Sequence, residues 1–462
     1  MNNLNVLILA AGKGTRLKSD LPKVLHVLSG KPLIEYVLTT AHSLKPRRIC
    51  VVVGYEADRV KAQLAPHPVD FVVQEPQLGT GHAVQMAKSF WENQTGALMV
   101  LSGDVPLITA NTLDTLAKSH AGSGCSCTIL STMAPNPAGY GRVLRNAAGE
   151  VEKIVEQRDA SPQELRIREI NTGIYCFETK VLAQVIDELS CENSQREYYL
   201  TDCIELLRKK QRRIGVVVCE TPREVSGINS RAELAQLEDL LRARKLQQLM
   251  ADGVTVIDLH STYVEQDVTI GKDTILYPNV FLQNGTVIGS GCVIYPNVRI
   301  AASTIENNVT ILDSCLISES RIGSGSQVGP FAHVKNHTEV GRQVRIGNFV
   351  EIKKTVIGDK SKAAHLSYLG DAEIGRDVNI GAGTITCNYD GISKHKTTIE
   401  DGVFVGSDSQ LIAPVTVKKG AYVAAGSTIN RDVPEDALAI ARCPQMNKED
   451  WAKKKRQSRT KE

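Results

Sequence analysis

The chain has 462 residues, too long for one ordinary domain and enough for two or three. Apolar residues at 42% and charged residues at 23% exclude wholesale disorder. Lys plus Arg number 54 against 51 Asp plus Glu, and the resulting charge of +3 argues against a nucleic-acid binder built on a general positive field.

The start, MNNLNVLILAAGKGTRL, has a short apolar core, no basic leader, and Lys13 and Arg16 directly behind it, which is not the pattern of an export signal. No apolar run approaches the roughly 18 residues that span a bilayer. The 11 cysteines form no CxxC pair, the closest two being Cys125 and Cys127, so they read as free thiols of a reducing cytoplasm and not as a disulfide framework or zinc ribbon.

Residues 1–230 alternate strand and helix patterns. Strands are expected at Leu4–Ala10, Ile49–Gly54, Phe71–Val73, Ala97–Leu101 and Thr172–Phe177, with helices around 32–43, 56–64, 80–91 and 109–120. That alternation implies a mostly parallel sheet covered on both faces, with ligands outside the carboxyl ends of its strands. LAAGKGTRL follows the first strand. Gly12 and Gly14 allow a tight turn that aims amides at an anion, and Lys13 and Arg16 add charge for a polyphosphate. The loop is neither a dinucleotide fingerprint nor a Walker A loop, and its bland reading is a Gly-rich turn with two solvated cations. Lys23, after Leu21-Pro22, is either a further phosphate ligand or an exposed lysine. QLGTGHA (77–83) opens a helix that could face an anion or a base edge, or Thr80 simply caps it. Asp104 ends LMVLSGD, where a carboxylate can hold Mg²⁺ against phosphates, or it is a turn residue before Pro106. Together these pieces suggest nucleotidyl transfer, which needs in-line positioning and charge neutralisation more than an acid or base.

Ser230 and Glu233 form a capping box that opens a helical connector over 231–252, with an apolar stripe at Leu234, Leu237, Leu241 and Met250 and a stop at Gly253. From 253 onward the period changes to six. Val264, Ile270, Leu276, Leu282, Ile288, Ile294 and Ile300 run unbroken; Ile305, Ile311, Ile317, then Ile322, Val328, Val334, Val340, Ile346 and Ile352 resume; Ile374, Ile380 and Val405, Leu411, Val417, Val423, Ile429 close the series. Six fits neither a helix nor a long flat strand. It fits a parallel β-helix of about nine triangular coils, and an ordinary all-β domain would not hold so many positions in register. The segment 385–398, ITCNYDGISKHKTT, breaks the repeat and maps to a loop on one face. The tail from Trp451, WAKKKRQSRTKE, is either a basic contact for phosphates or acidic partners, or a solvated, disordered end. Residues 453–462 carry six Lys/Arg and one Glu, so +3 for the chain less +5 for this tail leaves −2 for the rest. Anionic ligands must therefore be held by placed groups.

LAAGKGTRL, LPKVLH, QLGTGHA, SGDVPLI, EINTGIY, YLTD and GINSR occur in this order, followed by the hexapeptide half and the block SKAAHLSYLGDAEIGRDVNIGAGTITCNYDG. Over the whole chain this resembles the bacterial bifunctional N-acetylglucosamine-1-phosphate uridyltransferase/glucosamine-1-phosphate acetyltransferases. The second-half block is the specific part; the first-half motifs alone would fit many sugar nucleotidyltransferases. The resemblance implies a Rossmann-like α/β nucleotidyltransferase domain (1–230), the linker (231–252), and a left-handed parallel β-helix acetyltransferase with a basic tail (253–462). It implies a cytoplasmic homotrimer making UDP-N-acetylglucosamine for peptidoglycan and lipopolysaccharide, with no nucleic-acid partner and no membrane insertion.

By the same resemblance, Leu9, Ala10, Ala11 and Gly12 would line UTP, with Lys23 on phosphate, Gln74, Gly79 and Thr80 on uracil, and Ser102 and Gly103 beside the substrate. Gly141, Glu156, Asn171 and Asn229 would contact N-acetylglucosamine 1-phosphate, Asp104 and Asn229 would bind Mg²⁺, and Arg16 and Lys13 would take up the charge of departing pyrophosphate. In the second half His365 matches the catalytic base. Lys335, Lys353, Tyr368 and Asn379 match ligands of glucosamine 1-phosphate. Asn388 and Tyr389 match the loop beside the thioester, and Ala382, Ser407, Ala425 and Arg442 match contacts to acetyl-CoA. Glu351 is near enough along the repeat to assist His365, or is a solvated charge. Lys335 departs from the family's arginine and loses its planar fork, which predicts weaker sugar-phosphate binding. Three further readings stay open: zinc held by His333, His337 and His365 across a subunit seam; a single-function nucleotidyltransferase; and a β-helix that serves only to trimerise the chain.

Overall fold

Leu4, Val6, Leu7 and Ile8 are each at most 3% exposed. A strand this evenly buried, without alternation, is covered on both faces, as parallel strands are. In the computed structural model, which describes residues 3–459, Leu4–Ala10 is an interior strand of a sheet in the order Ile214–Cys219, Cys127–Met133, Glu169–Glu178, Ala97–Ser102, Leu4–Ala10, Arg48–Val53, Asp70–Val73. Every pairing along it is parallel except those of Glu169–Glu178, which runs antiparallel to both neighbours. This is the strand expected at Thr172–Phe177. Its register shifts between Asn171 and Tyr175, around Gly173 at φ 75°. It also carries the hairpin Arg142–Arg145 and Val151–Val155, which the sequence patterns did not signal. The expected helix over 80–91 is two, Thr80–Met86 and Lys88–Trp91.

The described residues fall into two units that part between Asp239 and Leu240, inside the helix Arg231–Ala251. The capping box forms as expected: the Glu233 amide donates to Ser230 Oγ at 3.2 Å and the Ser230 amide to Glu233 Oε2 at 3.1 Å. Gly253 takes φ 92° just beyond the helix. Met250 does not belong to the buried stripe. Nine residues past Leu241 it points to the opposite side of the helix, and Leu246 and Leu249 are buried instead. Lys245 is nearly buried at the start of the coils, where its Nζ donates to the carbonyls of Gln266 (2.9 Å) and Val268 (2.7 Å).

From residue 255 the chain builds three parallel sheets of 11, 10 and 9 short strands. Pairing advances by one coil each time, Leu276 to Ile294, then Ile311, Val328 and Ile346. The hexad aliphatics fill the prism; of those named above only Ile270, in the first coil, is less than fully buried. The register step from Ile357 to Ile374 widens at Ile374 to Ile399, because the inserted segment lies between. That loop is self-supporting: Asp390 accepts from the amides of Ile392 (2.8 Å) and Ser393 (2.7 Å) and pairs with His395 Nε2 at 2.7 Å. These bonds hold its carboxyl well below the usual range. The tail is helical over Trp451–Arg459, with every residue exposed; the part of the predicted tail at 460–462, like residues 1 and 2, lies outside the described residues. No helix among the described residues is long and apolar enough to cross a membrane.

Candidate active sites

The phosphate-type loop lies at the carboxyl ends of Leu4–Ala10, Arg48–Val53 and Ala97–Ser102, where unpaired strand ends leave room for a ligand. Only one of its glycines is demanded by conformation. Gly14 sits at φ 70°, and a Cβ there would stand 2.7 Å from Lys23 Cβ. Gly12 has no left-handed φ and open space around it, so the tight turn expected of it is not what fixes glycine there. A cleft of about 600 Å³ is lined by Leu9, Ala10, Ala11, Gly12, Lys13, Arg16, Lys23, Gln74, Gly79, Thr80, Ser102, Asp104 and Asn229. A smaller cavity of about 210 Å³ shares Leu9, Arg16, Thr80, Ser102, Asp104 and Asn229 with it and adds Gly141, Glu156 and Asn171. Gly103 lines neither. A Cβ on it would come 3.0 Å from the Leu9 carbonyl, so it serves the close approach of two strands.

The polar groups are tightly networked. Lys23 Nζ is ion-paired with Asp104 and donates to Asn229 Oδ1 at 2.8 Å, and Arg16 Nη2 donates to the same oxygen at 2.9 Å. Lys13 Nζ stands 5.0 Å from the centre of the Tyr55 ring. Two hard oxygens, from Asp104 and Asn229, thus already converge on one cation, the Lys23 ammonium. A Cβ on Gly227 would crowd Asp104 Oδ2 at 3.1 Å, so this corner is shaped around the carboxylate. A divalent cation fits the donor set. No group of three or more His, Cys, Asp or Glu converges among the described residues, so such a cation would complete its shell from phosphate and water.

Gln74, 3% exposed, donates from Nε2 to the Gly79 carbonyl at 2.9 Å. Thr80 does not cap its helix: its Oγ1 accepts from the Leu200 amide at 3.1 Å and ties the helix start to the segment 198–200. In the smaller cavity, burial raises the pKa of the Glu156 carboxyl, against the Thr201 hydroxyl that donates to it at 3.4 Å. Asn171 Nδ2 donates to the buried Tyr175 hydroxyl at 2.7 Å. Sequence reasoning missed Tyr140, Tyr175 and Thr201 as lining residues. Each lies in or beside a motif that was read (YGR, EINTGIY, YLTD), but hydroxyl positions carry no periodic signal.

In the β-helix, successive coils stack the second-half residues in columns. His365 is in register with Asn348, and Ala382, Ser407 and Ala425 occupy the same edge in the next three coils. Arg442 closes that edge, its Cδ 4.0 Å from where a Gly426 Cβ would be. On the adjoining face His333, Glu351 and Tyr368 form one column and Lys335 and Lys353 the next. Asn379 lies on the preceding face, between Lys362 and Phe404. Asn388 and Tyr389 belong to the inserted loop; Asn388 Nδ2 donates to Asp371, and Tyr389 is 60% exposed.

Two details differ from expectation. Glu351 does not assist His365: it pairs with Lys335 Nζ at 2.8 Å, and that lysine holds its carboxyl below the usual range. The partner of His365 is Asn348, whose Oδ1 lies 2.7 Å from Nδ1. An amide oxygen only accepts, so in this pairing Nδ1 is the donor and Nε2 is the nitrogen left facing outward from the bond. Asn348 was not singled out from sequence, although it stands one coil before His365 in GNF. Within one chain His333, His337 and His365 do not gather with other ligand-type side chains into a group of three among the described residues. Burial raises the Cys387 thiol pKa, which disfavours a reactive thiolate beside the loop.

Residues 6–166 match the model of the MobA-like NTP transferase domain, residues 259–357 the GMPPB C-terminal domain, and residues 396–431 the hexapeptide repeat of succinyl-transferase. Fold and site together define a nucleotidyltransferase joined to a left-handed β-helix acyltransferase. The chain is 48% identical to the bifunctional protein GlmU of Shouchella clausii over 98% of its own length and 100% of that protein's. It is 49% identical to the GlmU of Trichlorobacter lovleyi over 97% and 98% of the two chains, and 48% identical to that of Carboxydothermus hydrogenoformans over 97% and 99%. It belongs to the family of the bifunctional protein GlmU.

Proposed function

We propose that the chain makes UDP-N-acetylglucosamine at two separate sites. In the β-helix, the amine of glucosamine 1-phosphate attacks the thioester carbonyl of acetyl-CoA, His365 Nε2 takes the amine proton, and coenzyme A leaves as the thiol. Asn348 holds the ring so that Nε2 is the basic nitrogen. Lys335, Lys353, Tyr368 and Asn379 bind the sugar phosphate; Asn388 and Tyr389 flank the thioester; Ala382, Ser407, Ala425 and Arg442 hold the cofactor-sized acyl donor. His365 and Tyr389 stand exposed in one chain, which supports a homotrimer whose neighbouring copies enclose the site, as the hexapeptide repeat suggests.

In the α/β half, a phosphate oxygen of N-acetylglucosamine 1-phosphate attacks the α-phosphorus of UTP, and pyrophosphate departs toward Lys13 and Arg16. Gln74, Gly79 and Thr80 read the uracil, Leu9, Ala10, Ala11, Gly12 and Lys23 line the nucleotide, and Gly141, Glu156 and Asn171 hold the sugar. Mg²⁺ is the cation for Asp104 and Asn229; when bound it neutralises charge on the phosphates. The observation that carries this reading is the convergence of Arg16, Lys23, Asp104 and Asn229 where the nucleotide cleft meets the smaller cavity.

Two assays on one preparation test it. Pyrophosphate release from UTP with N-acetylglucosamine 1-phosphate reads the first site, and thiol release from acetyl-CoA with glucosamine 1-phosphate reads the second. Asp104→Ala should abolish only the first activity and His365→Ala only the second. Loss of both activities from either change would defeat the two-site assignment.

A further inference from the structure

We infer that Lys23 competes with the divalent cation for Asp104 and Asn229, so that the free protein binds metal weakly and binds it much more tightly together with a polyphosphate. This rests on the reading of Asp104 and Asn229 as cation ligands. In the chain without ligand, one ammonium satisfies both: Lys23 Nζ is ion-paired with Asp104 Oδ2 and lies 2.8 Å from Asn229 Oδ1. The Lys23 and Asp104 side chains are only 17% and 16% exposed, so water screens the pair weakly. Arg16 Nη2 holds the same Asn229 oxygen at 2.9 Å. Gly227 lies beside the carboxylate, where a Cβ would stand 3.1 Å from Oδ2, so any other residue there would crowd Asp104. A metal ion and an ammonium cannot both take these two oxygens. Metal entry requires Lys23 to leave.

The structure also shows where Lys23 can go. Its stem packs against Gly14 of the phosphate-type loop, and its side chain lines the same cleft as Ala11, Gly12 and Lys13. An ammonium released from Asp104 therefore turns into the space where a polyphosphate lies. With a polyphosphate present it exchanges a carboxylate for phosphate oxygens; with none, it exchanges a carboxylate for water. The nucleotide thus removes the competitor, and metal and nucleotide binding reinforce each other through one side chain.

The test is Mn²⁺ binding to the full chain, followed by electron paramagnetic resonance with and without UTP. Lys23→Met, measured without UTP, should bind Mn²⁺ at least about tenfold more tightly than the native protein, the scale expected for removing a charge-assisted bond. It should also lose most of the gain in Mn²⁺ affinity that UTP confers on the native protein. Equal or weaker Mn²⁺ binding by Lys23→Met overturns the inference. Asp104→Asn separates it from the reading beneath it. Mn²⁺ binding with UTP that survives in Asp104→Asn removes the cation site itself; binding lost there, with Lys23→Met unchanged from native, overturns the role of Lys23 alone. A measurement on the native chain needs no variant. Acylation of Lys23 by acetic anhydride, read by peptide mass spectrometry, should rise several-fold when Mn²⁺ saturates the site without nucleotide, and no rise overturns the inference.

Discussion

Asn348→Ala isolates the smallest working part of the acetyl-transfer site. The native contact is a single bond of 2.7 Å between His365 Nδ1 and Asn348 Oδ1. A hydrogen bond between neutral groups is worth about 0.5–1.5 kcal/mol net, whereas a bond to a charged partner is worth about 1.5–3 kcal/mol. Once Nε2 takes the amine proton, the ring is an imidazolium and the bond is of the second kind. The change withdraws that difference, about 1–1.5 kcal/mol, from the transition state, and it frees the ring to rotate and to take the other tautomer. Since about 1.4 kcal/mol is tenfold in rate, the expected loss in kcat for thiol release is about 5- to 13-fold. Michaelis constants for both substrates should stay within about twofold, because Asn348 is assigned no contact with either. Asn348→Asp keeps an acceptor at the same place and should retain most of the activity. The uridylyl assay on the same preparation reports whether the chain has folded. A kcat unchanged in Asn348→Ala, or a loss that falls on KM alone, would refute the role given to this bond.

Further outcomes are expected. Lys335→Arg restores a planar fork at a position now paired with Glu351, and should lower the Michaelis constant for glucosamine 1-phosphate about threefold or more; an unchanged constant counts against Lys335 as a phosphate ligand. Asp202, at the start of the helix Asp202–Lys209, is pushed up to about 6, first by burial and then by Glu205 and Asp159. The folded state keeps this proton to higher pH than the unfolded chain does, so Asp202 costs stability as pH rises from about 4 to 6 and the cost persists above. Asp202→Asn should therefore raise the melting temperature of the α/β half by about 2–4 °C at pH 8 and leave it unchanged at pH 4, as read by calorimetry. Ile317 is fully buried in the prism, and Ile317→Ala should cost about 2–5 kcal/mol in denaturant unfolding followed by acetyltransferase loss; a cost below about 1 kcal/mol would mean that the hexad positions are not the core.

The β-helix was legible because its physics is one-dimensional. Each coil repeats the same demand for one aliphatic residue per side, so Val264 to Ile429 declare the fold without reference to anything distant in sequence. The parallel strands of the first half were legible for a related reason: burial on both faces writes a continuous apolar run, as in Leu4–Ala10. Arg142–Arg145 and Val151–Val155 escaped because they are short and hold charged residues, and Cys127–Met133 because Thr128, Ser131 and Thr132 interrupt its apolar run; Ile214–Cys219, an apolar run, was simply not read as a strand. Met250 was misplaced because a loose stripe hides a half-turn error, which only the packing of Leu246 and Leu249 corrects.

By itself the sequence determined the kinds of chemistry present: a glycine-rich basic loop for phosphate, a carboxylate at a strand end, and a histidine in a solenoid. It determined them because glycine, charge and period are local properties of a chain. Pairing was decided by tertiary structure alone. Lys23 and Asn229 are 206 residues apart and share one hydrogen bond. Glu351 and Asn348 lie three residues apart, yet the first turns to Lys335 on one face and the second to His365 at the edge. Which oxygen meets which cation depends on where strands end and corners turn, and those positions are set by burial of the whole core.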